Sequence, residues 1–299
     1  MFKKPMLASK ITDLKNIRYP VLASPKFDGI RALTINGILV SRNLKPIPND
    51  HIRNLAKGLP DGLDGELILD DGSVAGAHFS ATSSAVMRQD GTPDVKYYVF
   101  DYVISIGVQA LARTIDLVGL TQSGLTPKHK AFIKFVNQKT ISNEKELLEY
   151  EEDCLDLEFE GVILRSPTSP YKEGRSTERE GYLLKLKRFE DSEATIVGFE
   201  EQMHNDNKAE EDLLGHTKRS SCKANMIPAG TLGKLYVIDV KSKIEFEIGT
   251  GFDAPLRQEI WNHKNKYLNT TVKYKYQSCG MKDKPRFPVF LGFRAKGDM

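Results

Sequence analysis

The chain has 299 residues, of which 40% are apolar and 28% charged, and its formal net charge is +3. This length allows two folded domains with apolar cores. No apolar run approaches the ~20 residues of a membrane-spanning helix, so we expect no membrane partner. Three widely separated cysteines and six scattered histidines argue against a disulfide framework or a zinc site and favour a reducing, intracellular location.

The first predicted element of functional interest surrounds Lys26. Asp28-Gly29 lies between an apolar run at residues 20–25 and another at 32–35. This pattern predicts a β-hairpin with Lys26 at the end of its first strand. A lysine has a pKa of about 10.4 but becomes nucleophilic where burial or nearby cations, here Arg31, disfavour its charged form. The pattern alone also fits a surface lysine beside an ordinary turn.

The next stretch predicts two strands with charged residues at their ends. The apolar run at 37–42 predicts a strand with Arg42 at its end, and a short helix is expected over 51–57. Asp64-Gly65 predicts a second turn, from which Glu66 opens a strand. A carboxylate in that position can hold a metal ion or a ribose hydroxyl, although a turn-flanking surface glutamate is the ordinary interpretation.

Composition and capping residues predict four further elements in the first half: a loop-to-helix segment at 79–87, a strand at 97–103, a strand at 132–136 and a helix at 144–157. The last of these has Asn143 and Glu146 in the spacing of a capping box. Phe100 lies in the aromatic strand, where it either packs in the core or offers a face to a flat base.

A buried strand and a strand with alternating lysines follow. Glu160 begins the first, and a polar loop at 171–177 carries Arg175. Alternation from Leu184 puts Lys185 and Lys187 on one face. Such lysines usually form a solvated face, but they would bind phosphate if that face lines a groove.

A domain boundary is predicted near 189–193, since the pattern changes there to short β-strands. Five strands are expected, at 194–199, 233–240, 244–248, 271–276 and 289–293. One helix at 253–264 has Asp253 as its N-cap. Five strands and one helix suit a small OB-type β-barrel.

Charge is unevenly distributed over this second half. Residues 190–212 carry nine Asp and Glu against one Lys, whereas residues 213–299 carry sixteen Lys and Arg against seven Asp and Glu. The basic region favours a phosphate-backbone partner over a merely solvated surface. Between the first two strands, residues 203–232 predict a basic loop that orders around nucleic acid, or else a disordered insertion, and its cations are Lys208, Lys218, Arg219 and Lys223.

Five short motifs follow one another along the chain: Lys26-x-Asp28-Gly29-x-Arg31, Asp64-Gly65-Glu66, Tyr98-Val99-Phe100-Asp101, Glu160-Gly161-Val162 and Leu184-Lys185-Leu186-Lys187. Together they resemble those of the covalent nucleotidyltransferases, which comprise DNA ligases, RNA ligases and mRNA capping enzymes. The tail at 285–294 resembles the last motif of ATP-dependent DNA ligases. The chain is similar over nearly its whole length to a small viral member of that family, which implies a minimal enzyme without a separate N-terminal DNA-binding domain.

The resemblance implies an α+β fold of two domains. Residues 1–189 would form a nucleotidyltransferase (adenylation) domain with antiparallel sheets and flanking helices. Residues 190–299 would form an OB-fold β-barrel, with a DNA-binding latch at about 203–232. The barrel would close over ATP in the first step and swing to DNA afterwards, with a hinge near residue 190.

The resemblance also implies roles for individual residues. Lys26 would attack the α-phosphate of ATP to give lysyl–AMP and pyrophosphate, and Asp28 belongs to the same catalytic motif. Arg31 and Arg42 would bind the AMP ribose and phosphate or the 5′-phosphate of the DNA. Glu66 would hold the ribose and help to place a metal ion.

The later motifs would complete the site. Phe100 would stack on adenine, Glu160 would bind metal, and Lys185 and Lys187 would hold the α-phosphate. From the tail, Arg286 and Asp298 would orient pyrophosphate. Six residues would contact DNA: Arg42, Arg175, Lys208, Lys218, Arg219 and Lys223.

The predicted function is therefore ATP-dependent sealing of nicks in duplex DNA through lysyl–AMP and DNA–adenylate, in replication, repair or recombination. The implied cofactors are ATP and Mg²⁺ or Mn²⁺, and the expected state is a monomer. Two alternatives use the same motifs differently: an mRNA guanylyltransferase that uses GTP, or an RNA ligase. A third is a nucleic-acid-binding protein with an inactive catalytic half.

Overall fold

The computed structural model describes residues 4–77, 79–123, 125–220, 222, 225–277 and 284–294. The chain forms two compact units: Met1–Lys187 with Glu211–Thr217, and Arg188–Glu210 with Lys218–Met299. Within the described residues, no helix is long and apolar enough to cross a membrane.

The first unit combines short strands with helices. Its strands are β1 (Met6–Leu7), β2 (Ser9–Lys10), β3 (Val21–Pro25), β4 (Ile30–Ile35), β5 (Ile38–Ser41), β6 (Leu63–Leu69), β7 (Val95–Tyr102), β8 (Ile133–Phe135), β9 (Lys139–Ile141), β10 (Val162–Arg165), β11 (Gly174–Arg175) and β12 (Leu183–Leu186). Its helices are α1 (Asp50–Ala56), α2 (Phe79–Met87), α3 (Ala110–Ser123), α4 (Pro127–Phe132) and α5 (Glu144–Asp156), with a 3₁₀ turn at Leu14–Asn16.

Two five-stranded sheets organise this unit. Sheet I has the order β2-β12-β10-β3-β9, and sheet II has the order β5-β4-β6-β7-β8. One apolar core contains Ala23, Val162 and Leu184 from sheet I together with Ile68 from sheet II, and Phe100 packs against it. Sheets I and II therefore share a core, and residues of both sheets can line a single cavity.

The predicted hairpin around Asp28-Gly29 is wrong. Strand β3 pairs with β9 and β10, whereas β4 pairs with β5 and β6, so residues 26–29 cross from sheet I to sheet II. A Cβ on Gly29 would lie 2.2 Å from the Ile68 side chain and 2.3 Å from the Leu67 carbonyl oxygen. Glycine is required here because the crossing chain passes close to β6, rather than because a turn forms.

The predicted turn at Asp64-Gly65 is also wrong. Both residues lie inside β6, where the register with β7 shifts between Asp64 and Gly65, and Glu66 is in the middle of the strand. A Cβ on Gly65 would lie 2.4 Å from the Tyr98 carbonyl oxygen of β7. The antiparallel register places Glu66 directly opposite Arg31 of β4, so two predicted site residues are neighbours in one sheet.

The capping predictions are confirmed. In α5 the Asn143 Oδ1 accepts the Glu146 N–H at 3.0 Å, and the Glu146 carboxylate accepts the Ser142 N–H at 2.8 Å. The second unit contains helix α6 (Ala254–Asn262). There, Asp253 Oδ1 accepts the Leu256 N–H at 2.8 Å. These side chains satisfy N–H groups that have no partner inside the helix.

The second unit is an OB-like sheet domain. Its strands are β13 (Glu190–Asn205), β14 (Ala209–Glu211), β15 (Thr217–Arg219), β16 (Met226–Asp239), β17 (Glu245–Ile248), β18 (Thr271–Gln277) and β19 (Arg286–Phe293), and α7 (Lys264–Tyr267) follows α6. Sheet III has the order β17-β16-β13-β18-β19. Among the described residues the ladder is open rather than a closed barrel, and one isolated bridge joins Thr250 to Val289.

Residues 203–232 are not the irregular loop that we predicted. Strands β13 and β16 continue to pair as far as Asn205 and Met226, and β14 and β15 form a short hairpin beyond them. We call residues 200–232 the arm. Its tip, 211–217, belongs to the first unit, where Leu214 is buried and its carbonyl accepts the Ser41 hydroxyl at 2.8 Å.

Candidate active site

A cavity of ≈ 210 Å³ lies in the first unit and receives residues from both sheets. Its lining includes six of the predicted nucleotide-binding residues: Lys26, Arg31, Arg42, Glu66, Phe100 and Lys185. Arg175, which we predicted to contact DNA, also lines it. Residues that are as many as 159 positions apart, from Lys26 to Lys185, thus meet in one place.

Backbone hydrogen bonds fix Lys26 beside Glu160. The Lys26 N–H donates to the Gly161 carbonyl at 2.8 Å, and the Glu160 N–H donates to the Lys26 carbonyl at 3.0 Å. Gly161 has a φ of 144°, and a Cβ there would lie 2.2 Å from the Leu186 carbonyl oxygen. Only glycine fits this position, so the Glu160-Gly161 pair sets where the Lys26 side chain starts.

The Glu160 carboxylate lies between two ammonium groups. One oxygen contacts Lys26 Nζ and the other contacts Lys187 Nζ. Glu160 is buried, whereas the two lysine side chains keep about a fifth of their surface exposed, at 18% and 20%. Lys187 therefore joins the site through Glu160, without lining the cavity itself.

Lys185 lies in a strongly positive environment. Burial lowers its pKa, and four cations around it lower the pKa further: Lys26, Arg175, Lys10 and Arg42. A half-buried cation among other cations is unfavourable unless an anion is present. This part of the cavity is therefore suited to a phosphate group.

Arg31 is held rigidly by Asp64. The guanidinium donates to both carboxylate oxygens, at 2.5 Å from Nε and 2.6 Å from Nη2, and Cζ lies 4.6 Å from the centre of the Phe100 ring. Burial opposes the charge on Arg31, but Asp64 outweighs it and raises the Arg31 pKa. Burial also raises the pKa of Glu66, against the lowering influence of Arg31 and Lys26.

Several predicted residues fall elsewhere. Asp28 accepts the Phe79 N–H at 3.4 Å, at the start of α2, and is not among the residues that line the cavity. Arg286 lies on β19 in the second unit, with Cζ 4.8 Å from the centre of the Phe287 ring. Asp298 lies outside the described residues.

The structure describes three of the four arm residues that we predicted to contact DNA. Lys208 and Lys218 are exposed beside and within the β14–β15 hairpin. The Arg219 guanidinium contacts the carbonyl of Asn207 and so braces the arm itself. Lys223 lies outside the described residues.

The sequence interpretation missed a buried polar network behind the cavity. Arg165 lines the cavity and contacts Asp101, which also accepts Arg113 Nε at 2.8 Å. Burial opposes the charge on Asp101, but Arg165 and Arg113 lower its pKa overall. Asp101 belongs to the third of the five motifs, whereas the sequence predicts no role for Arg113 or Arg165. Ile163, on β10, is a further lining residue that we did not predict.

The carboxylates nearest Lys26 suit a hard cation only in part. In the described part of the chain, no group of three or more His, Cys, Asp or Glu residues could hold a metal ion. Mg²⁺ typically binds through one or two carboxylates together with substrate phosphates. Glu66 and Glu160 can therefore contribute to a site that a nucleotide completes.

Comparison with known proteins assigns the family. The family model for the "ATP dependent DNA ligase domain" matches residues 5–187, and that for the "DNA ligase OB-like domain" matches residues 226–294. A crystal structure of Chlorella virus DNA ligase-adenylate is 35% identical, with 98% of this chain and 100% of that chain covered, at a TM-score of 0.58.

Two further relatives agree with this. A solved structure of a Lig E DNA ligase is 25% identical, with 98% of this chain and 100% of that chain covered, at a TM-score of 0.73. A DNA ligase of Haemophilus influenzae is 24% identical over 273 residues, which are 89% of this chain and 84% of the relative. The chain belongs to the family of ATP-dependent DNA ligases.

Proposed function

We propose that this enzyme seals nicks in duplex DNA with Lys26 as the nucleophile. One observation carries the proposal: the Lys26 side chain lies in a cavity that also receives Arg42, Arg175 and Lys185. Nucleotidyl transfer depends mainly on in-line placement of the nucleophile and on neutralisation of phosphate charge. The cavity combines both requirements.

The reaction would proceed in three transfers, the first two at the α-phosphorus of ATP and the third at the phosphorus of the DNA 5′-phosphate. First, the neutral amine of Lys26 attacks the α-phosphorus of ATP; an N–P bond forms, the bond to the β-phosphate oxygen breaks, and pyrophosphate leaves. Second, an oxygen of the DNA 5′-phosphate attacks that phosphorus and the N–P bond breaks. Third, the adjacent 3′-hydroxyl attacks the 5′-phosphate, loses its proton and expels AMP.

Different side chains around the cavity would bind different parts of the nucleotide. Lys185, Arg42 and Arg175 would bind the phosphate oxygens, and Lys187 would stabilise Glu160 beside the nucleophile. The cation cluster that lowers the pKa of Lys185 supports this assignment, since an anion would relieve the repulsion.

The base and ribose would bind at the other wall of the cavity. Phe100 comes from sheet II and Ile163 from sheet I, which supports a flat adenine held between them. Arg31 and Glu66, directly opposite each other in sheet II, would bind the ribose hydroxyls. Glu66 and Glu160 would hold Mg²⁺ or Mn²⁺ with the nucleotide phosphates, and the ion would supply further charge neutralisation.

The remaining roles extend to the second half of the chain. We propose domains at 1–189 and 190–299, with Arg286 and Asp298 orienting pyrophosphate and the lysines of the arm contacting DNA. The excess of positive charge over residues 213–299 supports a DNA partner. One chain carries the full set of motifs, which supports action as a monomer on intracellular DNA in replication, repair or recombination.

The test is retention of a labelled nucleotide. The protein is incubated with α-labelled ATP or GTP and Mg²⁺, denatured, and in parallel chased with a nicked duplex. We expect a covalent adduct from ATP that transfers to the nick and is absent in Lys26→Ala. As a control, Lys96→Ala removes a lysine whose side chain is about as exposed as that of Lys26 and which pairs with Asp94 at 2.7 Å; this variant should retain the adduct. An adduct from GTP alone would indicate a capping enzyme, and no adduct from either nucleotide would indicate a binding protein.

A further inference from the structure

The orientation of Arg31 depends on residues outside its own strand. Its guanidinium is bound by Asp64 through two hydrogen bonds, and Nη2 also donates to the Met6 carbonyl at 3.3 Å. Asp64 is fully buried, with no exposed surface. A buried carboxylate that holds one arginine must itself be held, since its remaining lone pairs need donors.

Tyr171 supplies that support. Its hydroxyl donates to Asp64 Oδ2 at 2.7 Å and accepts the N–H of Met6 at 3.0 Å. Tyr171 is 3% exposed, and burial together with Asp64 raises its pKa well above its usual value, so the phenol remains protonated and continues to donate. Arg31, Asp64, Tyr171 and the Met6 backbone thus form one closed set of hydrogen bonds.

The Tyr171 ring has a second contact, with Arg113. Arg113, which is buried, has its Cζ 5.5 Å from the centre of the ring, within the range of a cation–π contact. The same arginine binds Asp101, which contacts Arg165. Tyr171 therefore contacts Asp64, which holds Arg31, and also contacts Arg113, whose partner Asp101 holds Arg165. Arg31 and Arg165 both line the cavity.

We propose that Tyr171 is a positioning residue that, through Asp64, fixes the Arg31 guanidinium in the nucleotide cavity and thereby sets the rate of lysyl–AMP formation. The proposal rests on the proposed function of the cavity as the ATP site. Tyr171 lies in none of the five motifs, and its hydroxyl is separated from the cavity by Asp64 and Arg31. Its effect on the reaction is therefore indirect.

The test uses Tyr171→Phe in the full chain, which keeps the ring and removes the hydroxyl. We expect the single-turnover rate of adduct formation at saturating ATP to fall about ten-fold, as for loss of one hydrogen bond to a carboxylate. The matched control is Tyr274→Phe: Tyr274 is 1% exposed and its hydroxyl donates to Asp239 at 2.9 Å in the second unit. That variant loses a similar bond and should react at the wild-type rate.

A double-mutant cycle separates positioning from a general loss of structure. In an Arg31→Ala background, Tyr171→Phe should change the rate less than about two-fold, because the group that it positions is absent. The proposal is overturned if Tyr171→Phe reacts at the wild-type rate, or if it slows the reaction equally in both backgrounds.

A second measurement needs no nucleotide. The Arg31 Nε–H resonance, assigned by its loss in Arg31→Lys, should shift and exchange faster with solvent in Tyr171→Phe but not in Tyr274→Phe. An unchanged resonance would overturn the positioning role. A wild-type protein that forms no adduct with ATP would instead overturn the proposed function, while the Arg31 resonance would still decide whether Tyr171 fixes the guanidinium.

Discussion

Replacing Asp101 by asparagine should destabilise the first unit strongly while leaving its shape nearly unchanged. The carboxylate is 3% exposed; it accepts Arg113 Nε at 2.8 Å and Nη2 at 3.2 Å, and it contacts Arg165 Nη1. Asp101→Asn leaves two buried guanidiniums without their counter-ion. Removing one partner of a buried ion pair costs about 3–5 kcal/mol, which is a large share of the ~5–15 kcal/mol that stabilises a typical domain.

The same carboxylate should contribute to the acid sensitivity of the wild type. Burial opposes its charge, but the two arginines lower its pKa in the folded state below the usual value. Since the folded pKa is depressed, this stabilisation is complete above about pH 4, the pKa of an unfolded aspartate, and is lost as the pH falls through the folded value. In Asp101→Asn that part of the pH dependence should disappear.

The assay is urea unfolding followed by far-UV circular dichroism, which reports both units. The single tryptophan, Trp261, lies in α6 of the second unit, so its fluorescence serves as an internal control and should unfold at an unchanged midpoint. Asp94→Asn is the matched substitution, because Asp94 is exposed and its carboxylate pairs with Lys96 at the surface. It should cost less than about 0.5 kcal/mol. A loss below about 1 kcal/mol in Asp101→Asn would refute the reasoning.

Two further predictions concern binding of ATP and DNA. Lys185→Gln should slow adduct formation about 100-fold, as for removal of one group that stabilises charge in a transition state. Because the pKa of Lys185 is lowered, ATP affinity of the wild type should begin to fall, as the pH rises, at a lower pH than it would with an ordinary lysine. This decrease in affinity should be absent in Lys185→Gln. Lys208→Gln with Lys218→Gln should weaken nicked-duplex binding and reduce the slope of log affinity against log salt by about two, since each phosphate contact contributes about 0.9.

The controls for these predictions come from the same protein. The exposed lysines Lys241 and Lys243, between β16 and β17, lie outside the arm. Replacing both by glutamine should leave the salt slope unchanged; equal slopes for the two double variants would contradict a specific role for the arm. For Lys185, an unaltered pH dependence of ATP affinity in Lys185→Gln would assign the titration to another group.

Short-range patterns predicted where the candidate catalytic side chains lie in the chain, but not the paths of the chain between them. Lys26 directly follows strand β3, and Lys185 lines the cavity. Both Asp-Gly pairs, however, predict turns, because that dipeptide usually marks a hairpin, and both predictions are wrong. In the structure Gly29 and Gly65 instead allow the backbone of a neighbouring strand to pass very close. Such crowding between distant parts of the chain cannot be recognised from the local sequence.

The buried network could not be predicted for a different reason. Its contacts join residues far apart in sequence, such as Asp64 with Tyr171 and Asp101 with Arg165. Spacing along one strand or helix carries no information about such pairs. The arm was missed because β14 and β15 are wholly exposed and polar, so they lack the apolar alternation that identifies a strand.

The crossing at residues 26–29 has a consequence for how this enzyme can fail. Lys26 directly follows a strand of sheet I, and Arg31 lies in a strand of sheet II, so a six-residue motif joins two sheets that are held together by a shared core. Substitutions in that core, remote from any reacting atom, would separate amine from guanidinium. Loss of adduct formation in such variants would therefore report altered packing between the sheets before any strand unfolds.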